Sequence, residues 1–152
     1  AGGVEASGED ASAPTAVAQR FDPLVGKWEM LQPLREARAW CALAVMDHYI
    51  YAAGGYSPEG VLLKSVERYD AAGDTWEEVG SMEQGRAGHQ MVVVPTNRGL
   101  KLCCVGGFVG ESLSNKTTTR TAVGYDAEKN EWEECADFHL PEPLAGFSLC
   151  SL

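Results

Sequence analysis

The chain has 152 residues, 45% of them hydrophobic and 22% charged, a globular composition long enough for the core of one domain and incompatible with disorder throughout. Twenty-two acids against twelve bases give a formal charge of −10, so nucleic acid and anionic lipid are repelled rather than recruited. No stretch approaches the roughly 18 apolar residues of a membrane helix, and the first residues lack the basic start and apolar run of a signal peptide.

Residues 1–18 are rich in Ala, Gly, Ser and acid, contain no aromatic residue and show no sustained apolar period. Such a segment does not repay the entropy of ordering, and the expectation is a disordered low-complexity tail. From about Arg20 the texture changes to short apolar runs of Val, Leu, Tyr and Trp, separated by Gly, Asn, Asp and Pro clusters. That is an all-β pattern, and no window holds a helical stripe.

The runs repeat. Phe21-Asp22 to Trp28 recurs as Tyr69-Asp70 to Trp76 and as Tyr125-Asp126 to Trp132, with periods of 48 and 56 residues and the Trp always seven positions after the first aromatic. Between these marks stand Gly54-Gly55 and Gly106-Gly107, each directly after an apolar run, Tyr49 to Ala53 and Leu100 to Val105. Arg38-Ala39 and Arg86-Ala87 lie ten residues after Trp28 and Trp76, and each opens another apolar run; in the last repeat Leu144 replaces the arginine. Ala71-Ala72-Gly73-Asp74 and Ala127-Glu128-Lys129-Asn130 are turn chemistry between an aromatic strand and a Trp strand.

Taken together these marks resemble the kelch repeat, whose blade has four antiparallel strands with a double glycine closing the second, a Tyr in the third and a Trp in the fourth. A WD40 propeller has a similar period and Gly88-His89 fits its Gly-His mark, but no Trp-Asp pair follows. The resemblance implies a kelch-type β-propeller fragment over 19–152, with blades at about 19–34 (partial), 35–80, 81–135 and 136–152 (partial), the last holding an innermost strand from Gly146 to Leu152. Two whole blades cannot close a ring, because propellers have roughly four to eight. Most members of the family have six.

Five cysteines, Cys41, Cys103, Cys104, Cys135 and Cys150, form an odd set without a CxxC pair, which points to reduced, intracellular sulfur. Asn115-Lys116-Thr117 matches the glycosylation acceptor pattern and is the opposing signal. The three histidines, His48, His89 and His139, have no metal-ligand spacing, and there is no nucleophile elbow, phosphate loop or dinucleotide fingerprint. The expectation is therefore a protein that is not an enzyme and has neither cofactor nor metal.

On a rigid propeller the loops carry binding residues. In a four-strand antiparallel blade the connections from the outermost to the next innermost strand and from the second to the third strand share one face, here Gln32 to Arg38, Tyr56 to Lys64, Ser81 to Arg86, Phe108 to Arg120 and Ala136 to Leu144. That loop face holds Arg35, Arg38, Arg86, Tyr56, Ser57, Phe108, Ser112, Asn115 and His139, a mixture suited to binding protein. The family resemblance implies that Arg38 and Arg86 grip an acidic peptide loop; the alternative is that each bonds backbone carbonyls of its own blade. Glu77-Glu78 and Glu131, Glu133 and Glu134 flank the outermost Trp residues and read as protection of an edge strand.

The repeats look most like the propeller of a BTB-kelch adaptor, which holds a target protein for a cullin-type ubiquitin ligase. An actin-binding structural module and the extracellular kelch domain of a receptor-like protein are the alternatives.

Overall fold

A computed structural model describes residues 1–4, 13–97 and 99–150. In chain order the strands are β1 (Gln19–Asp22), β2 (Lys27–Met30), β3 (Ala42–Met46), β4 (Tyr49–Ala53), β5 (Val66–Asp70), β6 (Thr75–Val79), β7 (Arg86–Ala87), β8 (Gln90–Thr96), β9 (Gly99–Val105), β10 (Phe108–Val109), β11 (Thr117–Thr118), β12 (Ala122–Asp126) and β13 (Glu131–Glu134), followed by a 3-10 turn at Ala136–Phe138. Two four-stranded antiparallel meanders, β3-β4-β5-β6 and β8-β9-β12-β13, are the two whole blades, and β1-β2 is the outer half of a preceding one. Among the described residues no helix is long and apolar enough to cross a membrane.

The Tyr and Trp marks are hooks between blades. Tyr69 pairs with Trp76 across β5 and β6, and Tyr125 with Trp132 across β12 and β13. The Tyr69 hydroxyl donates to Asp74 at 2.7 Å, and Asp74 in turn accepts from the Gln32 amide. Trp76 Nε1 donates to the Gln32 carbonyl at 2.9 Å. One blade later the pattern repeats on Gly80: Tyr125 donates to Asn130, Asn130 accepts from the Gly80 amide, and Trp132 Nε1 donates to the Gly80 carbonyl. Each outer edge thus clasps the backbone that leaves the previous blade, while the ring faces fill the space between sheets.

The main core lies between the two whole blades around Tyr51, Val66, Leu102, Cys104 and Tyr125, and a second cluster of Ala18, Leu34, Ala52, Tyr69 and Trp76 joins β1-β2 to the first of them. Trp76→Ala removes a large buried ring and its hydrogen bond, and should cost about 3–5 kcal/mol. Trp28, 67% exposed on β2, sits where no described blade precedes it, so Trp28→Ala should change stability by less than about 0.5 kcal/mol. Urea denaturation of the two variants reads the difference; comparable losses would sink the clasp argument.

The double glycines are required by close approach. Gly54 and Gly55 have φ of +60° and +97°, and a Cβ on Gly54 would lie 2.3 Å from the Arg86 carbonyl. The loop leaving β4 therefore passes directly under the entry to the next blade.

Two expectations are corrected. Within the supposed tail, residues 1–4 and 13–18 are hydrogen-bonded into the fold: the Gly3 amide donates to Arg38, the Leu31 amide to Ala18 and the Leu34 amide to Ala16, and Ala18 is buried. Composition counts side chains, whereas these small residues are held through their backbones, with Ala small enough to sit beneath Trp76. Residues 5–12 lie outside the description. At the other end, 146–150 form no strand, because no described second strand stands beside them to complete a ladder; residues 151 and 152 lie outside the described residues.

Candidate functional site

Both long-loop connections emerge on one face, and the loops are stitched to one another. Tyr56, just after the double glycine, bridges Ala39, and its counterpart Phe108 pairs with Ala87, so each loop leaving the second strand is tied to the segment entering the same blade. The two loops are also tied together: the Leu62 amide donates to the Glu111 carbonyl at 2.9 Å and the Leu113 amide to the Gly60 carbonyl at 2.8 Å. The face is preorganised rather than a set of free loops.

Arg38 and Arg86 are not part of its surface. Arg38 is 0% exposed and donates to the Gly54 and Ser65 carbonyls, Ser65 Oγ and Glu67 Oε1, the last at 2.7 Å. Arg86 is 3% exposed and donates to the Gly106 and Thr121 carbonyls and to Thr121 Oγ1. Each guanidinium closes the carbonyls at the two ends of its own blade's loop. The expectation of an arginine grip on a partner is therefore corrected: the planar fork satisfies backbone acceptors that the double glycine leaves inside. Burial lowers the pKa of Arg86.

Ser57 is also internal to its loop, with its hydroxyl donating to Glu59 and accepting from the Glu59 amide. Ser112 and Asn115 bind each other, the Asn115 side chain accepting from the Ser112 amide and hydroxyl. Phe108 lies under the Lys116 ammonium, 5.2 Å from the ring centre, a cation–π contact. His139 stands apart, its Nε2 3.2 Å from a Glu134 carboxylate oxygen. Arg35 is exposed and, with Asn115, lines a groove of about 1060 Å³ between the two stitched loops.

One residue escaped the sequence reading. Trp40 is 52% exposed, packs edge-on to Tyr56 at 5.1 Å between ring centres, and has φ of +55°. Its repeat equivalents after Arg86-Ala87 and Leu144-Ala145 are Gly88 and Gly146, with φ of +61° and +68°. The repeat needs a left-handed residue here, and this one position supplies it with the bulkiest side chain instead of glycine. With Phe108, Phe147 and the backbone of Gly88, Trp40 lines a cavity of about 450 Å³. The signal was available in the aligned repeats as a Trp standing in a glycine column.

Among the described residues no group of three His, Cys, Asp or Glu is placed to hold a metal ion. Burial pushes the thiols of Cys103 and Cys104 up to about 12, far from the range of a nucleophile.

A family model described as Kelch motif matches residues 37–83, which span the first whole blade. Kelch-like protein 26 of Danio rerio is 32% identical over 125 residues, 82% of this chain and 19% of that protein. Kelch-like protein 23 of Homo sapiens is 35% identical over 81 residues, 53% of this chain and 14% of that protein. The chain thus spans about a fifth or less of the length of these relatives. The solved structure of YjhT superposes with a TM-score of 0.68 at 17% identity, covering 95% of this chain and 52% of that one, and so shares the fold. With the repeat marks, the two clasped blades and these relatives, the chain is a kelch-repeat propeller segment like those of the BTB-kelch proteins.

Proposed function

We propose that this kelch protein-interaction module is the target-recognition part of an intracellular BTB-kelch adaptor, holding a protein on its loop face for a cullin-type ubiquitin ligase recruited elsewhere in the full-length protein. The observation that carries the reading is Trp40. A non-glycine residue in the left-handed region costs of order 1 kcal/mol and persists where the surroundings or the function demand it, and a half-exposed indole is a typical anchor of a protein interface. The Kelch-like relatives support the adaptor role, and the free thiols among the described residues fit a reducing compartment.

Trp40→Gly tests it. Relief of the left-handed strain offsets the lost contact with Tyr56 and the added chain entropy, so stability should stay within about 1 kcal/mol of the parent. In pull-downs with the full-length protein from cells, the variant should lose its target while keeping the cullin. A target retained at parental levels by Trp40→Gly would sink the loop-face reading. Recovery of actin without any cullin would replace the adaptor role with a structural one.

A further inference from the structure

Granting that targets dock on the loop face, we propose that the groove between its two stitched loops takes an extended protein segment carrying lysine or arginine among apolar residues. The groove, about 1060 Å³, is at the upper limit of small-molecule pockets and has room for several consecutive side chains. Val61 and Val109 give it apolar surface, Val61 being 47% exposed. Its walls are charged unequally. The wall from the second blade and its entry turn, residues 81–85 and 109–117, offers Glu83 and Glu111 and no basic side chain lining the groove. Among the described residues neither carboxylate enters an ion pair. Around the whole groove four glutamates face two cations, Arg35 and Lys64, both contributed by the first-blade side.

With Arg38 and Arg86 consumed inside the blades, the field presented to a ligand by the second wall is negative, in a chain whose net charge is −10. An acidic segment, the partner expected from the arginines, would meet like charge along that wall. The walls are also fixed in advance. The hydrogen bonds from Leu62 to Glu111 and from Leu113 to Gly60 join them, and a Cβ on Gly85 would lie 2.1 Å from the Leu62 carbonyl. Little ordering is left to oppose binding.

The test uses the 152-residue chain and two labelled nine-residue peptides of valine and serine, one bearing three lysines and the other three glutamates at the same positions, followed by fluorescence anisotropy. The lysine peptide should bind at least about tenfold more tightly than the glutamate peptide, with an advantage that shrinks as salt is raised. The double variant Glu83→Lys/Glu111→Lys should reverse the order; both sites are exposed, and an unchanged melting curve confirms the fold. Equal or preferred binding of the glutamate peptide, no binding of either, or an order indifferent to the double variant would overturn the inference. So would a concentration-dependent dimer abolished by the double variant, which would make a second copy the occupant. None of these results touches the loop-face reading, which stands or falls with target release by Trp40→Gly.

Discussion

Replacing Arg38 with alanine should cost about 3–5 kcal/mol, because it leaves a buried carboxylate without its cation. Glu67 is 2% exposed on β5, and among the described residues its oxygens accept, apart from Arg38, only from the backbone amides of Arg35 and Glu36. Removing the guanidinium also strips the Gly54 and Ser65 carbonyls of a donor. The second blade supplies an internal comparison. Val123 stands two residues before Tyr125, where Glu67 stands before Tyr69, so among the described residues Arg86 has carbonyl and hydroxyl partners but no carboxylate. Arg86→Met loses hydrogen bonds, roughly 1–3 kcal/mol, while relieving an uncompensated buried charge, and the net cost should be smaller than at Arg38. Arg38→Met combined with Glu67→Met should recover part of the loss, since no lone charge is left inside. Urea denaturation of the four proteins decides it, and an Arg38→Ala cost below about 1 kcal/mol would show that the ion pair is not what holds the first blade's loop.

The propeller was readable from the chain because each repeat mark answers a constraint met again in every blade. Paired glycines, Tyr and Trp recur at fixed spacing since the backbone crossing under Arg86 and the clasps on Gln32 and Gly80 are the same contact made twice. The same regularity bears on the arginines, for which the alternative of bonding their own blade's carbonyls is the arrangement found. Recurrence at the start of each blade is the mark of a shared structural task, and their side chains turn inward onto loop carbonyls that no sequence pattern reveals. The departures from the repeat carry what is particular to this chain: Trp40 in a glycine column, and Glu67 where the other blade has Val123. Residues 1–4 and 13–18 were illegible for another reason, because backbone bonds to Arg38 and to the β2 exit hold them without any side-chain period. The charged groove was equally hidden, since Glu83 and Glu111 lie 28 residues apart in the chain and meet only through the stitching of neighbouring loops.

Acid should begin to destabilise the fold below about pH 6.5, and His89 is the reason. Its ring is wedged between the double glycines of two blades: Cε1 lies 3.0 Å from the Cβ position of Gly54, and its own Cβ 2.7 Å from that of Gly107. Both ring nitrogens are buried without a hydrogen-bond partner among the described residues. Desolvation, helped by the neighbouring Arg86 charge, lowers the His89 pKa to about 3. The unfolded chain takes up this proton near pH 6.5, so between about pH 6.5 and 3 it binds a proton that the folded state refuses. Stability is therefore full above pH 6.5 and falls by about 1.4 kcal/mol for each unit below it, a loss of about 2 kcal/mol by pH 5. The Asp74, Asp126 and Glu133 carboxylates are held below their usual range by Tyr69, by backbone amides and by Lys101 respectively, so their contribution is lost only as the pH falls through the ordinary carboxylate range of about 4 and below, which leaves the interval from about pH 7 to 5 to histidine. His89→Leu removes the group and suits the apolar side of the site, which holds Met82. Stability measured by urea denaturation at pH 7, 6 and 5 should slope for the parent and be nearly flat for the variant, and equal slopes would place the acid sensitivity elsewhere.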